Sequence, residues 1–160
     1  MDSLGRSLAD VALDLGFTEE HLSSVRHDTG WAEMDSLGRL PIHVAGLNGS
    51  RAVVEYLLEA SESNLWAEDR YKRTALHYAS SNRNEDIVRL LIKHRATVDR
   101  RDTSGQTPLL CAARNGHTGA VQQLPQKGPA DVYQEDTHNR TPLPHAAGNG
   151  HMIVSEMLLD

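Results

Sequence analysis

An aspartate returns at nearly constant spacing along this chain. Asp35, Asp69, Asp102 and Asp136 lie 34, 33 and 34 residues apart, and each opens a similar block. The clearest block runs from Asp102 to Val121 and reads DTSGQTPLLCAARNGHTGAV. Thr107 carries a hydroxyl placed to cap a helix, and Pro108 follows at the first helical position, where a missing N–H costs nothing. Leu109, Leu110, Cys111, Ala112 and Ala113 continue as a short apolar helix. Gly116 ends it, because glycine enters the left-handed conformation without a Cβ clash. Parallel stretches occupy 40–50, 74–84 and 141–151, and the second apolar segments of the four blocks read VVEYLL, IVRLL, AVQQL and VSEMLL. Helices this short do not persist alone. A period of about 33 residues with turn, helix, turn, helix therefore predicts a stacked array, in which neighbouring units bury one another's apolar faces.

These motifs resemble the ankyrin repeat, whose familiar string is D-x-x-G-x-T-P-L-H-x-A-A-x-x-G-H. Residues 102–135 match it except that Leu110 stands in place of the histidine. Residues 34–68 keep Gly38, Pro41, His43, Ala45 and Gly49; residues 69–101 keep Asp69, Thr74, Leu76, His77 and Ala79. Residues 136–160 keep Thr141, Pro142, Leu143, Ala146, Ala147, Gly150 and His151. The resemblance implies an all-α ankyrin-repeat solenoid of helix–turn–helix units with short β-turn loops. Residues 1–33 are expected to form a degenerate N-terminal capping repeat, since MDSLGR at 1–6 recurs at 34–39, one period later. Asp10, Asp14, Glu19, Glu20 and His21 would give that cap the polar outer face it needs. A rival reading of the same stretch is a remnant helix pair of the death-domain or ubiquitin-associated kind.

Two prolines break the pattern. Pro125 falls near the end of the second helix of 102–135 and should stop that helix early. Pro144 takes the histidine position of 136–160, within the first turn, and removes the hydrogen bonds of that histidine. At the end of the chain, Met152, Val154, Met157 and Leu158 are expected to form an uncapped apolar face, a candidate surface for self-association and a sign of a longer array.

Composition narrows the function. One cysteine excludes an internal disulfide framework and a four-cysteine zinc site, and places the chain in a reducing interior, the cytoplasm or the nucleus. No apolar run approaches membrane-spanning length, and the acidic start is unlike a secretory signal, so no membrane insertion is expected. A net charge of −6 argues against nucleic-acid binding. Nine histidines invite a metal, but His43, His77, His117 and His151 recur with the repeat, and no H-E-x-x-H, C-x-x-C, G-x-G-x-x-G or phosphate-loop sequence occurs. Cys111 and His145 occupy equivalent positions in adjacent blocks, in a column that runs Val11, Val44, Tyr78, Cys111, His145. A nucleophile pair there would need direct contact and an orienting third group; core filling is the favoured reading, because free cysteine is among the most buried residue types. No catalytic residue, cofactor or metal site is expected.

Function must then come from surface. Resemblance to ankyrin proteins implies partner contacts at the turns after each aspartate and at the ends of the first helices, along one concave strip. The turn positions include Arg39; Arg70, Tyr71, Lys72 and Arg73; Thr103, Ser104 and Gln106; and His138 and Arg140. The helix-end positions include Leu47 and Asn48; Ser81 and Asn82; and Arg114 and Asn115, although an asparagine in every block is better explained as stabilising the approach to the turn. Charge singles out 69–101, which holds 9 basic and 4 acidic residues while every other segment is net acidic. Arg70, Tyr71, Lys72 and Arg73 lie at its leading turn, and Arg100 and Arg101 lead into the next. Arginine and tyrosine are enriched at binding hot spots. This patch is expected to receive an acidic segment of a partner protein, and charge reversal at Arg70, Arg73 and Arg101 to lower the association rate and its salt dependence. The alternative is a regulatory or targeting segment of a larger enzyme, ligase adaptor or channel.

Overall fold

The computed structural model describes residues 34–124 and 132–159. Within them, four aspartate-led turns alternate with four pairs of antiparallel helices. The first helices are α1 (Pro41–Asn48), α3 (Ala75–Ser80), α5 (Pro108–Asn115) and α7 (Pro142–Gly148). The second helices are α2 (Arg51–Ala60), α4 (Glu85–Lys93), α6 (Thr118–Gln123) and α8 (Met152–Met157). A 3₁₀ helix, Glu62–Trp66, follows α2. No strand occurs among the described residues. The expected cap at 1–33 and Pro125 lie outside them.

Local chemistry sets each helix start. Thr107 Oγ1 accepts from Leu110 N at 3.3 Å, and Gly116 closes α5 at φ 72°, as the sequence predicts. In α1 and α3 a histidine on the third helical residue does the capping. The N–H groups of Leu40 and Thr74 donate to the Nδ1 atoms of His43 and His77 at 2.9 and 3.1 Å. With Nδ1 accepting, the ring proton sits on Nε2, which donates to Ala67 O at 2.9 Å and to Gln106 O at 3.1 Å. Each neutral ring thus joins its own helix start to a carbonyl flanking the next turn, before it at Ala67 and at its end at Gln106. Both histidines are fully buried, and burial, opposed by these hydrogen bonds, holds them below the ordinary histidine range. Leu110 and Pro144 lack this bridge.

First helices pack on first helices down the array, α1 on α3, α3 on α5 and α5 on α7, while the second helices back them. Val53, Val54 and Leu57 of α2, Ile87, Val88 and Leu91 of α4, and Ala120 and Val121 of α6 form one continuous core between the layers. The sidedness of α4 follows from EDIVRLLIK, which buries Ile87, Val88, Leu90 and Leu91 and turns Glu85, Asp86, Arg89 and Lys93 outward. At α6 the core contribution shrinks, since that helix ends at Gln123, two residues before Pro125. At α8 the expected apolar face is redistributed. Val154 is buried and Met157 and Leu158 pack against the core, leaving Met152, Ile153 and Leu159 as the exposed apolar groups.

Candidate functional site

Each turn is built on its aspartate. One carboxylate oxygen accepts two backbone N–H groups of its own loop: Leu37 and Arg39 on Asp35, Tyr71 and Arg73 on Asp69, Ser104 and Gln106 on Asp102, His138 and Arg140 on Asp136, all at 2.8–3.1 Å. In three turns the other oxygen takes an arginine four residues on. Arg39, Arg73 and Arg140 place a guanidinium nitrogen 2.7, 2.7 and 2.9 Å from the oxygens of Asp35, Asp69 and Asp136. Gln106 stands at this position in the third turn, and Asp102 has no arginine partner there. A D-x-x-x-R spacing, repeated three times, is the sequence signal for these pairs.

A third group reaches two of the aspartates from the first helix. Tyr78 O–H donates to Asp69 Oδ2 at 2.7 Å, and His145 Nε2 lies 2.9 Å from Asp136 Oδ2. Burial works against ionisation of Asp69, but hydrogen bonds from Tyr78 and Arg73 outweigh it and hold the carboxyl below the usual range. The same contest, with Arg140 and His145 as donors, leaves Asp136 far below that range. The tyrosine pays in the opposite sense, since burial and the Asp69 contact raise it.

These contacts dispose of the thiol–imidazole pair. His145 is oriented by the aspartate of its own turn, and Cys111 Sγ faces Gln106 Oε1 at 3.8 Å. Burial pushes the Cys111 thiol up to about 11, so it is protonated at neutral pH and a poor nucleophile. Among the described residues no group of histidines, cysteines or carboxylates is arranged to hold a metal ion.

The four turn tips form a ladder. Arg70 N donates to Leu37 O at 3.2 Å, Thr103 N to Tyr71 O at 2.9 Å, and Thr137 N to Ser104 O at 3.0 Å. The residue three past each aspartate is left-handed throughout: Gly38 at φ 74°, Lys72 at 59°, Gly105 at 73° and Asn139 at 57°. Glycine takes this conformation freely and asparagine tolerates it, whereas lysine pays a steric cost of about 1–2 kcal/mol. Lys72 is exposed at the tip, beside exposed Arg70 and half-exposed Tyr71.

The cations that the sequence grouped together separate into two kinds. Arg73 is half-buried, ion-paired to Asp69, and stacked between the rings of Tyr71 and Tyr78 at 4.8 and 4.7 Å. Arg100 pairs with Glu68. Arg70 donates to Ser36 O at 2.6 Å, and Arg101 to Gly105 O at 3.2 Å and to Glu135 O. Carbonyl partners leave the charge intact, so Arg70, Lys72 and Arg101 remain without a carboxylate among the described residues. Thr103, Ser104, His138 and Arg140 are exposed along the same ladder, but Gln106 is buried beneath it.

The helix-end positions carry a stacking function that the sequence left unread. Asn84 donates to the carbonyls of Gly46 and Leu47 at 2.9 and 2.7 Å; His117 Nε2 meets Ser81 O at 2.9 Å and His151 Nε2 meets Arg114 O at 3.0 Å. Each stands just before a second helix and bonds carbonyls at the C-terminal end of the first helix one repeat earlier. Asn115 and Asn149 reinforce this by donating to Ser81 O and Arg114 O at 3.3 and 2.8 Å, whereas Asn82 bonds Tyr78 O of its own helix at 3.0 Å. Asn48 and the Arg114 side chain are exposed, and Leu47 and Ser81 half-buried. A sequence period of 34 residues is the only cue to these contacts, because the partners lie one repeat apart.

The paired helices, the tip ladder and the repeat-to-repeat bridges define a stacked-repeat interaction fold. A family model for ankyrin repeats (3 copies) matches residues 12–102 and 98–160, and the chain belongs to this family. Ankyrin repeats are in general protein–protein interaction modules. Among curated proteins, Protein glp-1 of Caenorhabditis elegans is 42% identical over 35% of this chain and 4% of its own length. Rabankyrin-5 of Mus musculus is 35% identical over 57% of this chain and 9% of its own. Human neurogenic locus notch homolog protein 1 is 35% identical over 58% and 4%. The chain thus spans less than a tenth of the length of these relatives. No helix of the described residues is long and apolar enough to cross a membrane.

Proposed function

We propose that the chain binds an acidic segment of a partner protein along its turn-and-first-helix strip, with the second turn as the anchor. The observation that carries the reading is Lys72. It holds a left-handed position at φ 59° that glycine fills in two of the other three turns, with its side chain exposed and making no hydrogen bond or ion pair among the described residues. Arg70 and Tyr71 flank it, and Arg73 stiffens Tyr71 from below. A pre-organised ladder of this kind loses little entropy on docking. Arg101 extends the positive field into the next turn, while Arg73 and Arg100 spend their charge on Asp69 and Glu68.

Lys72→Gly tests the reading. Relief of the left-handed strain should raise stability by about 1 kcal/mol, while loss of the ammonium should weaken capture of the partner. A variant that is both more stable and equally competent in binding would refute the role assigned to the second turn. A second reading, a targeting or regulatory segment of a larger enzyme, ligase adaptor or channel, draws support from the small share of each relative that the chain covers. Self-association through Met152, Ile153 and Leu159 is a further proposal, resting on their exposure at the last helix pair.

A further inference from the structure

A cleft distinct from the turn tips lies where the 3₁₀ helix after α2 meets the C-terminal end of α4. Trp66 is 52% exposed there, a large indole with half its surface in water. It lines a cleft of about 450 Å³ together with Leu58, Leu65, Lys93, His94 and Arg95, with Glu62 the one acid on the lining. The end of α4 explains part of this arrangement. Arg95 N donates to Ile92 O at 2.9 Å and Ala96 N to Leu91 O at 3.0 Å, the paired bonds of a helix end that turns through a left-handed residue.

That residue is Arg95, at φ 67°. A cation near a helix C-terminus is favoured by the dipole, and Lys93 in the last turn already supplies it without strain. Glycine would make the same turn freely, so the dipole does not account for arginine at this position. Among the described residues neither Lys93 nor Arg95 has a carboxylate partner. Lys93, His94 and Arg95, the last on a left-handed backbone, thus line one cleft with a half-exposed indole.

We infer that this cleft binds a short acidic peptide segment carrying an apolar side chain, the apolar group against Trp66 and the carboxylates on Lys93 and Arg95. Charge complementarity selects the occupant: two unpaired cations confront one acid at the cleft, while the chain as a whole is at −6 and repels an extended polyanion such as a bilayer or a nucleic acid. A cleft of this volume suits a short segment, and the indole supplies apolar contact at low conformational cost. The site shares no residue with the second turn and stands independently of the function proposed for it.

The chain's two tryptophans are Trp31 and Trp66, so in a Trp31→Phe background Trp66 is the sole reporter. The probe is a short amidated peptide of glutamates flanking a leucine pair, titrated against tryptophan emission, with the same peptide carrying glutamine for glutamate and phosphatidylserine vesicles as the comparison arms. The glutamate peptide should give a saturable blue shift that salt weakens, and Arg95→Gly should weaken it roughly tenfold while leaving Tm level or higher. Lys72→Gly should not change the titration, which keeps this result separate from the fate of the second-turn reading. Equal binding of the glutamine peptide, preference for the vesicles, or an Arg95→Gly variant of unchanged affinity would each overturn the assignment.

Discussion

Replacing His77 by leucine tests the capping scheme, because the third repeat already carries leucine at that position. His77 is buried and accepts from Thr74 N through Nδ1 while Nε2 serves Gln106 O, which requires the neutral ring. Burial lowers its pKa from 6.5, with the Gln106 contact and the charge of Asp102 pushing weakly the other way. The unfolded chain therefore binds more protons than the folded one below about pH 6.5, and stability falls as pH falls. The slope approaches about 1.4 kcal/mol per pH unit for this residue, and His43, shifted in the same direction, adds as much again. His77→Leu orphans a buried N–H and C=O, costing about 1–3 kcal/mol at pH 7.5. It also removes one of the two acid slopes. Urea denaturation followed by far-UV circular dichroism, from about pH 7.5 to 4.5, should show wild type and variant converging on acidification. The range stops above the region where the turn aspartates, whose pKa values are depressed, lose their contribution. Parallel curves, with an unchanged difference at every pH, would refute the neutral-histidine bridge.

Further outcomes follow from the turns and the core. Asp69→Asn breaks a buried ion pair with Arg73 and a hydrogen bond from Tyr78, and should cost about 3–5 kcal/mol; Asp102→Asn, with no arginine partner, should cost clearly less by the same urea assay. Cys111 should resist a thiol reagent in the native protein and react at the rate of a free thiol only in denaturant, since burial holds it protonated. If the exposed apolar group at α8 mediates self-association, Met152→Glu with Ile153→Glu should abolish any concentration dependence in sedimentation, and wild type that stays monomeric at all concentrations would remove that proposal.

The fold was legible because its signal repeats. Thr107, Pro108 and Gly116 announce a helix by chemistry that acts within a few residues, and the same letters recur at a fixed period, so the helix pairs and their order could be read directly. The candidate site was legible as a location, the second turn, and less so in its parts. Arg73 reads as a surface cation, yet Asp69 and two tyrosines draw it inward, and Gln106 reads as a tip residue although its carbonyl serves His77 from the repeat before. Asn84, His117 and His151 are local letters whose partners sit on the preceding first helix. Contacts across repeats are fixed by stacking distance, which no single block encodes. Arg95 and Trp66 escaped notice for a related reason: left-handed backbone and half-exposed indole are properties of the folded chain, and the charge of 69–101 conceals which of its cations remain unpaired.

The most direct measurement of the central claim is the association rate of the captured partner with wild type and with an Arg70→Glu/Lys72→Glu variant, across a series of salt concentrations. These two residues keep their charge unneutralised, so their reversal spares the Asp69–Arg73 pair that holds the turn together. The account predicts a rate lowered about tenfold or more at low salt, with the two proteins approaching each other as salt rises. Equal rates and equal salt dependence would contradict it.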